Sequence, residues 1–228
     1  MAADQVAQKR LAAERASAEV RDGMVVGLGS GSTAELFVRA LAERVRSGLR
    51  VAGVPTSEAT ARLARELGIP LVRLEDCPAV DLDVDGADEV DPNGQLLKGL
   101  GGALLREKIV AHAARRVVIV VDESKLVARL GERAPLPVEV VRFGWRRTAA
   151  ALAALGLEPR LRGGEADPFV TDGGNLILDC RLDGAQDLAA LAARCKLQVG
   201  VVEHGLFLDL HPMVVVGRAD GRCEVRQA

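Results

Sequence analysis

Residues 81–91 read DLDVDGADEVD, and six of these eleven positions are carboxylates: Asp81, Asp83, Asp85, Asp88, Glu89 and Asp91. Like charges crowded into so short a stretch need water, a cation or a chemical task. Residues 81–86 fit the first half of a calcium loop, D-x-D-x-D-G, but the twelfth position, where a bidentate Glu closes such a site, is Pro92. The calcium reading fails at its most discriminating position. Strand alternation gives another account: Leu82 and Val84 share one face, Asp81, Asp83 and Asp85 the other, and Gly86 breaks the strand after Asp85. In open α/β sheets ligands bind beyond the carboxyl ends of strands, so Asp85 and Asp88 are expected to face a cleft. The alternative is a solvated acidic strand end.

Two glycine-rich turns accompany this cluster. GLGSGST (27–33) lies between an expected strand and an expected helix, where backbone N–H groups and the helix dipole attract an anion. Ser30, Ser32 and Thr33 add hydroxyl donors. A Walker A loop is excluded because no Lys precedes the Ser/Thr. Gly29, Gly31 and Ala34 satisfy G-x-G-x-x-A, but the next strand runs into Pro55-Thr56 instead of the acid that holds a ribose. A single monophosphate is the better ligand, and an ordinary tight βα turn is the alternative. The second turn, LLKGLGGALLREKIV (96–110), carries Lys98 and Glu107. The helical neighbours of Glu107 are Ala103, Leu104, Val110 and Ala111, apolar groups that can raise a carboxyl pKa toward that of a general base. Arg106 has equally apolar neighbours, and Lys98 taken alone reads better as a surface lysine than as a functional one.

The elements that must position these residues alternate. Strands are expected at 24–28, 51–54, 70–74, 81–85 and 117–121, and helices at about 5–20, then 34–45, 57–68 and 101–114, with Ser57 as an N-cap. This order argues for an α/β fold: a Rossmann-like, mostly parallel sheet. After SKLVARLGE the character changes to a strand at 135–141, a helix at 146–156, a hairpin at 169–180, a helix at 187–195 and a strand at 197–203. That order predicts a second, smaller α+β domain. The expected division is 1–131 with 206–228 for the first domain and 132–205 for the second.

Composition narrows the function. The chain has 228 residues, 49% hydrophobic, so one sizeable core or two are available. Net charge is −2 and aromatics are 2% with no Tyr, which argues against a nucleic-acid partner. The N-terminus lacks an apolar h-region and no run reaches the ~18 residues of a membrane span, so no membrane partner is expected. Cys77, Cys180, Cys195 and Cys223 show no CxxC spacing, and His112, His204 and His211 form no ligand pattern. No metal or cofactor is expected, and a reduced cytoplasm is the expected location.

Taken together, GLGSGSTA, DVDGADEVD, KGLGGALLREK, VDESKLV, LPVEVV and TDGGNLILDC resemble the type A ribose-5-phosphate isomerase family in order and spacing, from about Lys9 to Gly217. The resemblance implies interconversion of ribose 5-phosphate and ribulose 5-phosphate, the non-oxidative pentose phosphate reaction, without cofactor. It matches Glu107 to the proton-transferring base. Asp85, Gly86, Ala87 and Asp88 match one substrate-contacting stretch, and Lys98, Gly99, Leu100 and Gly101 another. Ser30, Gly31, Ser32 and Thr33 match the phosphate-side loop, Lys125 a further substrate-binding lysine, and Lys9 a basic residue near the phosphate. It also suggests a homodimer or homotetramer. Ser30 stands where Thr is more usual, and Leu100 interrupts a stretch often richer in glycine.

The chemistry then assigns tasks. Glu107 shuttles a proton between C2 and C1, Lys98 stabilises the enediolate, Asp85 assists ring opening and Asp88 holds sugar hydroxyls. Asp81, Asp83 and Asp91 are left structural or solvated. The rivals are a non-catalytic sugar-phosphate sensor and an acyl-CoA transferase of related fold, in which a Glu is the covalent nucleophile.

Overall fold

The computed structural model describes residues 2–182 and 187–227. Met1, 183–186 and Ala228, which fall within the expected domain ranges, lie outside the described residues. The chain opens with helix α1 (Ala2–Ser17), strand β1 (Val25–Leu28), helix α2 (Ser32–Arg46), strand β2 (Ala52–Pro55) and helix α3 (Glu58–Glu66). Strands β3 (Leu82–Asp85), β4 (Glu89–Val90) and β5 (Leu96–Leu97) lead into helix α4 (Leu104–Ala113) and strand β6 (Val117–Asp122). Then come β7 (Leu136–Val140), α5 (Trp145–Ala153), β8 (Glu158–Leu161), β9 (Leu176–Arg181) and α6 (Leu188–Lys196). The last strands are β10 (Val201–His204), β11 (Leu206–Phe207), β12 (Met213–Gly217) and β13 (Cys223–Gln227).

These elements form two compact units. The first comprises Met1–Ala87, Arg106–Leu126 and Leu210–Ala228. Its sheet has the order β13-β12-β6-β3-β1-β2, parallel except for the edge strand β13. The chain steps from β1 outward to β2 and then crosses back to β3, so the strand order reverses between β1 and β3. That is the switch point at which α/β sheets open a crevice beyond their carboxyl ends. Every residue of β6 is buried, as its β-branched run predicts. Helix α1 approaches closely through Ala12, Ala13 and Ala16, all fully buried. Gly217 permits this, because a Cβ there would stand 1.9 Å from the Gln8 carbonyl oxygen.

The second unit comprises Asp88–Leu105 and Val127–Asp209. It holds a four-stranded antiparallel sheet, β10-β7-β9-β8, and a small sheet, β11-β5-β4. Leu136, Val138, Leu152, Leu178 and Leu191 share its core.

Several expectations change. Residues 88–105 join the second unit rather than the first, because β4 and β5 pair with β11. The unit boundaries fall at 126/127 and 209/210 instead of 131 and 206. The acidic strand β3 does not alternate between core and water; all four of its residues are buried, since β1 and β6 flank it. Residues 70–74 form no strand, only a bridge from Leu71 to Gly53 at the sheet margin. The glycines at 101 and 102 precede helix α4 as a turn. The expected hairpin at 169–180 reduces to β9 and a bridge from Val170 to Leu176.

Candidate active site

In the first unit, β1 delivers the chain to Gly29 and Ser30 at the switch point, and α2 leaves from Gly31, whose φ of +88° suits glycine. The loop is fastened to β3. The Gly29 N–H donates to the Val84 carbonyl at 3.0 Å, and the Ser30 N–H donates to Asp85 Oδ1 at 3.0 Å. Asp85 Oδ1 also accepts from the Gly86 N–H at 2.7 Å. The Asp85 side chain is 1% exposed, and it lies where a Cβ on Gly29 would be, 2.2 Å from that position. Gly29 and Asp85 are therefore a matched pair across neighbouring strands. Two N–H donors on one carboxylate oxygen hold that carboxylate in a fixed pose.

Ser30 does something other than its motif predicts. Its hydroxyl turns inward to Thr56 Oγ1 and Ser57 Oγ, both at 2.8 Å. Thr60 Oγ1 donates to the Gly29 carbonyl at 2.9 Å, and Ser57 caps α3 by accepting from the Thr60 N–H at 3.1 Å. Thr56, Ser57 and Thr60 thus staple the glycine loop, a role the sequence reading missed. The outward face of the loop belongs to Gly31 and Ser32, both exposed, while Thr33 is buried. Lys9 Nζ reaches across from α1 to donate to Ser32 Oγ at 3.0 Å. The N-terminus of α2, the Ser32 hydroxyl and the Lys9 ammonium together can cradle an anion. Lys125 sits half-buried in the 3-10 turn Glu123–Lys125 after β6. Gln8, next to Lys9, exchanges two 3.3 Å hydrogen bonds with Glu123, which docks α1 on that turn.

Glu107 lies on α4 within the first unit and is 5% exposed. Its helical neighbours Val110 and Ala111 are buried as expected, whereas Ile109 is exposed and Arg106 pairs with Glu58 at 2.9 Å. Gly86 and Ala87 follow Asp85 and are partly exposed.

The second unit carries Asp88 and the second glycine turn. The Asp88 N–H donates to the Leu97 carbonyl, and Asp88 Oδ2 accepts from the Leu100 N–H, both at 2.9 Å. Asp88 therefore braces the turn. Arg162 clamps it from the other side, donating to the Gly99 and Leu100 carbonyls at 3.0 and 2.9 Å while Nε bonds Asp179 at 3.0 Å. Lys98 is 4% exposed, not a surface lysine, and its ammonium stands 5.7 Å from the Phe207 ring centre. Gly99 (φ +110°) and Gly102 (φ +84°) need glycine: a Cβ on Gly102 would strike the Phe169 ring at 2.3 Å. Gly101 and Leu100 are exposed.

The remaining acids have local partners. Asp81 Oδ2 accepts from the Val25 N–H at 2.9 Å, and Asp91 Oδ1 accepts from Asn93 and Gln95 in the β4–β5 turn at 2.9 and 2.8 Å. Glu89 accepts from the Gly131, Arg133 and Ala134 N–H groups. Asp83 is fully buried beside Gly27 and Val110, not solvated. Among the described residues no three His, Cys, Asp or Glu side chains form a group that could hold a metal ion.

The family model for ribose 5-phosphate isomerase A (phosphoriboisomerase A) matches residues 52–221. Ribose-5-phosphate isomerase A of Roseiflexus castenholzii is 56% identical over 220 residues, 95% of this chain and 94% of that protein. Its counterpart in a Synechococcus species is 50% identical over 223 residues, 96% of this chain and 97% of that protein. Ribose 5-phosphate isomerase A from Methanocaldococcus jannaschii superposes with a TM-score of 0.91 at 42% identity, covering 96% of this chain and 98% of that one. A D-ribose-5-phosphate isomerase in complex with phospho-erythronic acid superposes with a TM-score of 0.92 at 38% identity, covering 96% and 97%. By sequence along nearly its whole length and by fold, the chain belongs to the ribose-5-phosphate isomerase A family.

Proposed function

We propose that the protein interconverts D-ribose 5-phosphate and D-ribulose 5-phosphate through an enediolate, as an aldose–ketose isomerase of the non-oxidative pentose phosphate reactions. The observation that carries this reading is the Asp85 carboxylate fixed at the switch point by the Ser30 and Gly86 N–H groups, in a chain of this family. A relative of the same fold binds phospho-erythronic acid, which sets a planar carboxylate beside a hydroxylated carbon chain and a phosphate, as an enediolate phosphate would.

Each residue then takes one task. Glu107 removes the C2 proton of the open-chain aldehyde; the C2 electrons form the C1–C2 double bond and the carbonyl pair moves to O1. The O2 proton passes to the O1 oxyanion, and returning the C2 proton to C1 while O2 becomes the carbonyl gives the ketose, so no redox cofactor enters the balance. Lys98 offers its ammonium to the developing oxyanion. Asp85 acts as a fixed acceptor for ring opening. Asp88 spends one acceptor site on the Leu100 N–H and offers the rest to sugar hydroxyls. The phosphate rests at the N-terminus of α2 with Ser32, Thr33, Lys9 and Lys125, and Gly99, Leu100 and Gly101 present backbone groups to the sugar.

The four cysteines form no disulfide and no helix among the described residues is long and apolar enough to cross a membrane. Both facts accord with work in a reducing cytoplasm, and we place the enzyme there as a homodimer or homotetramer. The test is turnover of ribose 5-phosphate in EDTA, with free ribose alongside. Ribulose 5-phosphate formed from the ester and scarcely any ribulose from the free sugar is the expected result. A stable adduct on Glu107 after incubation with an acyl-CoA would favour the transferase instead.

A further inference from the structure

The second glycine turn is pinned at its start. The Lys98 N–H donates to the Gly205 carbonyl at 2.9 Å, and a Cβ on Gly205 would stand 2.1 Å from the Lys98 carbonyl oxygen. Beyond Lys98 the turn closes with one bond of its own, from the Gly102 N–H to the Gly99 carbonyl at 3.0 Å. The next two peptide planes are set by Arg162, whose Nη1 donates to the Gly99 and Leu100 carbonyls at 3.0 and 2.9 Å. A trans peptide carries its C=O and N–H on opposite sides. Drawing both carbonyls to the guanidinium therefore turns the N–H groups of Leu100 and Gly101 the other way. There the Leu100 N–H meets Asp88 Oδ2 at 2.9 Å. The Gly101 N–H is left without a protein acceptor among the described residues.

Arg162 is itself held on all sides. Its Nε and Nη2 donate to the two carboxylate oxygens of Asp179 at 3.0 and 2.5 Å, a two-pronged contact that fixes the plane of the guanidinium. Its side chain is 14% exposed. The guanidinium carbon stands 5.6 Å from the centre of the Phe169 ring, and that ring fills the space Gly102 leaves open. In the backbone, the Arg162 N–H donates to the Ile177 carbonyl and the Phe169 N–H to the Arg162 carbonyl, both at 2.9 Å. The group that orients the turn is thus anchored to β8 and β9, within the same unit as the turn. Lysine could not replace it, because an ammonium is a point charge without the planar fork.

We propose that Arg162 is a positioning residue for the isomerisation: by holding the Gly99 and Leu100 carbonyls it sets the pose in which Lys98, Asp88 and the Gly101 N–H meet the sugar. It touches no reacting atom. Glycines at 99, 101 and 102 give this turn wide backbone freedom, so its pose must be imposed from outside. Turnover is sensitive to that pose, since a misplacement of ~1 Å costs ~100-fold. The phosphate is assigned to the α2 loop, which Arg162 does not contact, so its loss should act on kcat more than on KM. This inference deepens the proposed function and rests on it.

The test is ribose 5-phosphate turnover by Arg162→Ala and Arg162→Lys, with and without free guanidinium at a non-denaturing concentration, and with circular dichroism on each. In Arg162→Ala kcat should fall by about 100-fold, with KM within about threefold of wild type. Free guanidinium can enter the space the side chain vacates, and it should recover at least about tenfold of the lost rate, whereas methylammonium should not. A residue that only stabilised the fold would behave in the opposite way, because guanidinium weakens a marginal fold further. Arg162→Lys keeps the charge and should still lose about tenfold or more in kcat; it decides the matter if Arg162→Ala does not fold. Wild-type kcat in either folded variant, or a loss in Arg162→Ala that guanidinium does not relieve, would overturn the inference and leave the isomerase reading intact. A wild type inert toward ribose 5-phosphate would overturn both.

Discussion

Replacing Gly29 by Ala tests whether the loop and Asp85 are one unit. The backbone conformation at Gly29 is open to any residue; what forbids a side chain is space. An added Cβ would stand 2.2 Å from Asp85 Oδ1, 2.3 Å from Cγ and 2.5 Å from Cα. The carboxylate could swing aside only by giving up the Ser30 and Gly86 N–H groups, and the Cα belongs to an interior strand that cannot retreat. Overpacking costs ~1–3 kcal/mol and a hydrogen bond to a charged group is worth ~1.5–3 kcal/mol. The expected loss is about 2–4 kcal/mol, or roughly 5–15 °C in Tm for a chain of this size. A misplacement of ~1 Å near the chemistry costs ~100-fold in turnover, so kcat/KM should fall at least that far. Gly86→Ala is the control for stability: its Cβ would find nothing nearer than 3.8 Å, and Tm should barely change. Thermal melts and ribose 5-phosphate turnover measure both effects. A Gly29→Ala variant with wild-type Tm and wild-type kcat/KM would refute the pairing.

Lys98→Met keeps the length of the side chain and removes its charge; kcat should drop by ~10²–10³ if the ammonium meets an oxyanion, and a near-normal kcat ends that role. Lys9→Ala and Lys125→Ala should raise KM for ribose 5-phosphate more than they lower kcat, and an unchanged KM in both would remove the phosphate from the α2 N-terminus. Burial pushes the Cys195 thiol from 9.0 up to about 11 and raises the Cys180 thiol also. The folded pKa exceeds the unfolded one, so this stability is present below pH 9.0 and lost as pH rises through about 11. Urea titrations across that range should show the decline, and iodoacetamide near neutral pH should modify Cys180 and Cys195 only after unfolding.

Much of this was legible because it depends on local pattern. The run VVIVV can only be a strand buried on both faces, and Ser57 before a helical period caps that helix as its hydroxyl predicts. The glycine loop is readable for the same reason, since strand, small residues and helix adjoin in sequence. What stayed hidden depends on partners far along the chain. Arg162 clamps a turn more than sixty residues away, and nothing in LRGG points to Gly99. Strands of two residues, such as β4, β5 and β11, carry no period of their own and exist because they pair with one another. Taken alone, Lys98 read as a surface lysine, because burial of its stem depends on the β11 strand and Phe207. The acidic run was open in a different way: alternation put Asp83 on one face of a strand and left it structural or solvated, whereas an interior parallel strand has no wet face. Asp91 was within reach of local reasoning, because an Asp two residues before Asn-Gly often accepts from the turn it begins.

The central claim is that Glu107 moves the proton, and Glu107→Gln tests it most directly because it keeps size and hydrogen-bonding capacity while removing basicity. The measurement is the isomerisation rate of ribose 5-phosphate in deuterated solvent, with substrate affinity and circular dichroism recorded on the same variant. General acid–base catalysis is worth ~10²–10⁴-fold, or roughly 3–5.5 kcal/mol of barrier. The account predicts a folded protein that binds the substrate nearly as well as the wild type, with kcat lower by at least ~100-fold and exchange at C2 reduced in step. A folded Glu107→Gln variant within about tenfold of wild-type kcat would contradict it and move the proton transfer to another carboxylate, Asp85 first.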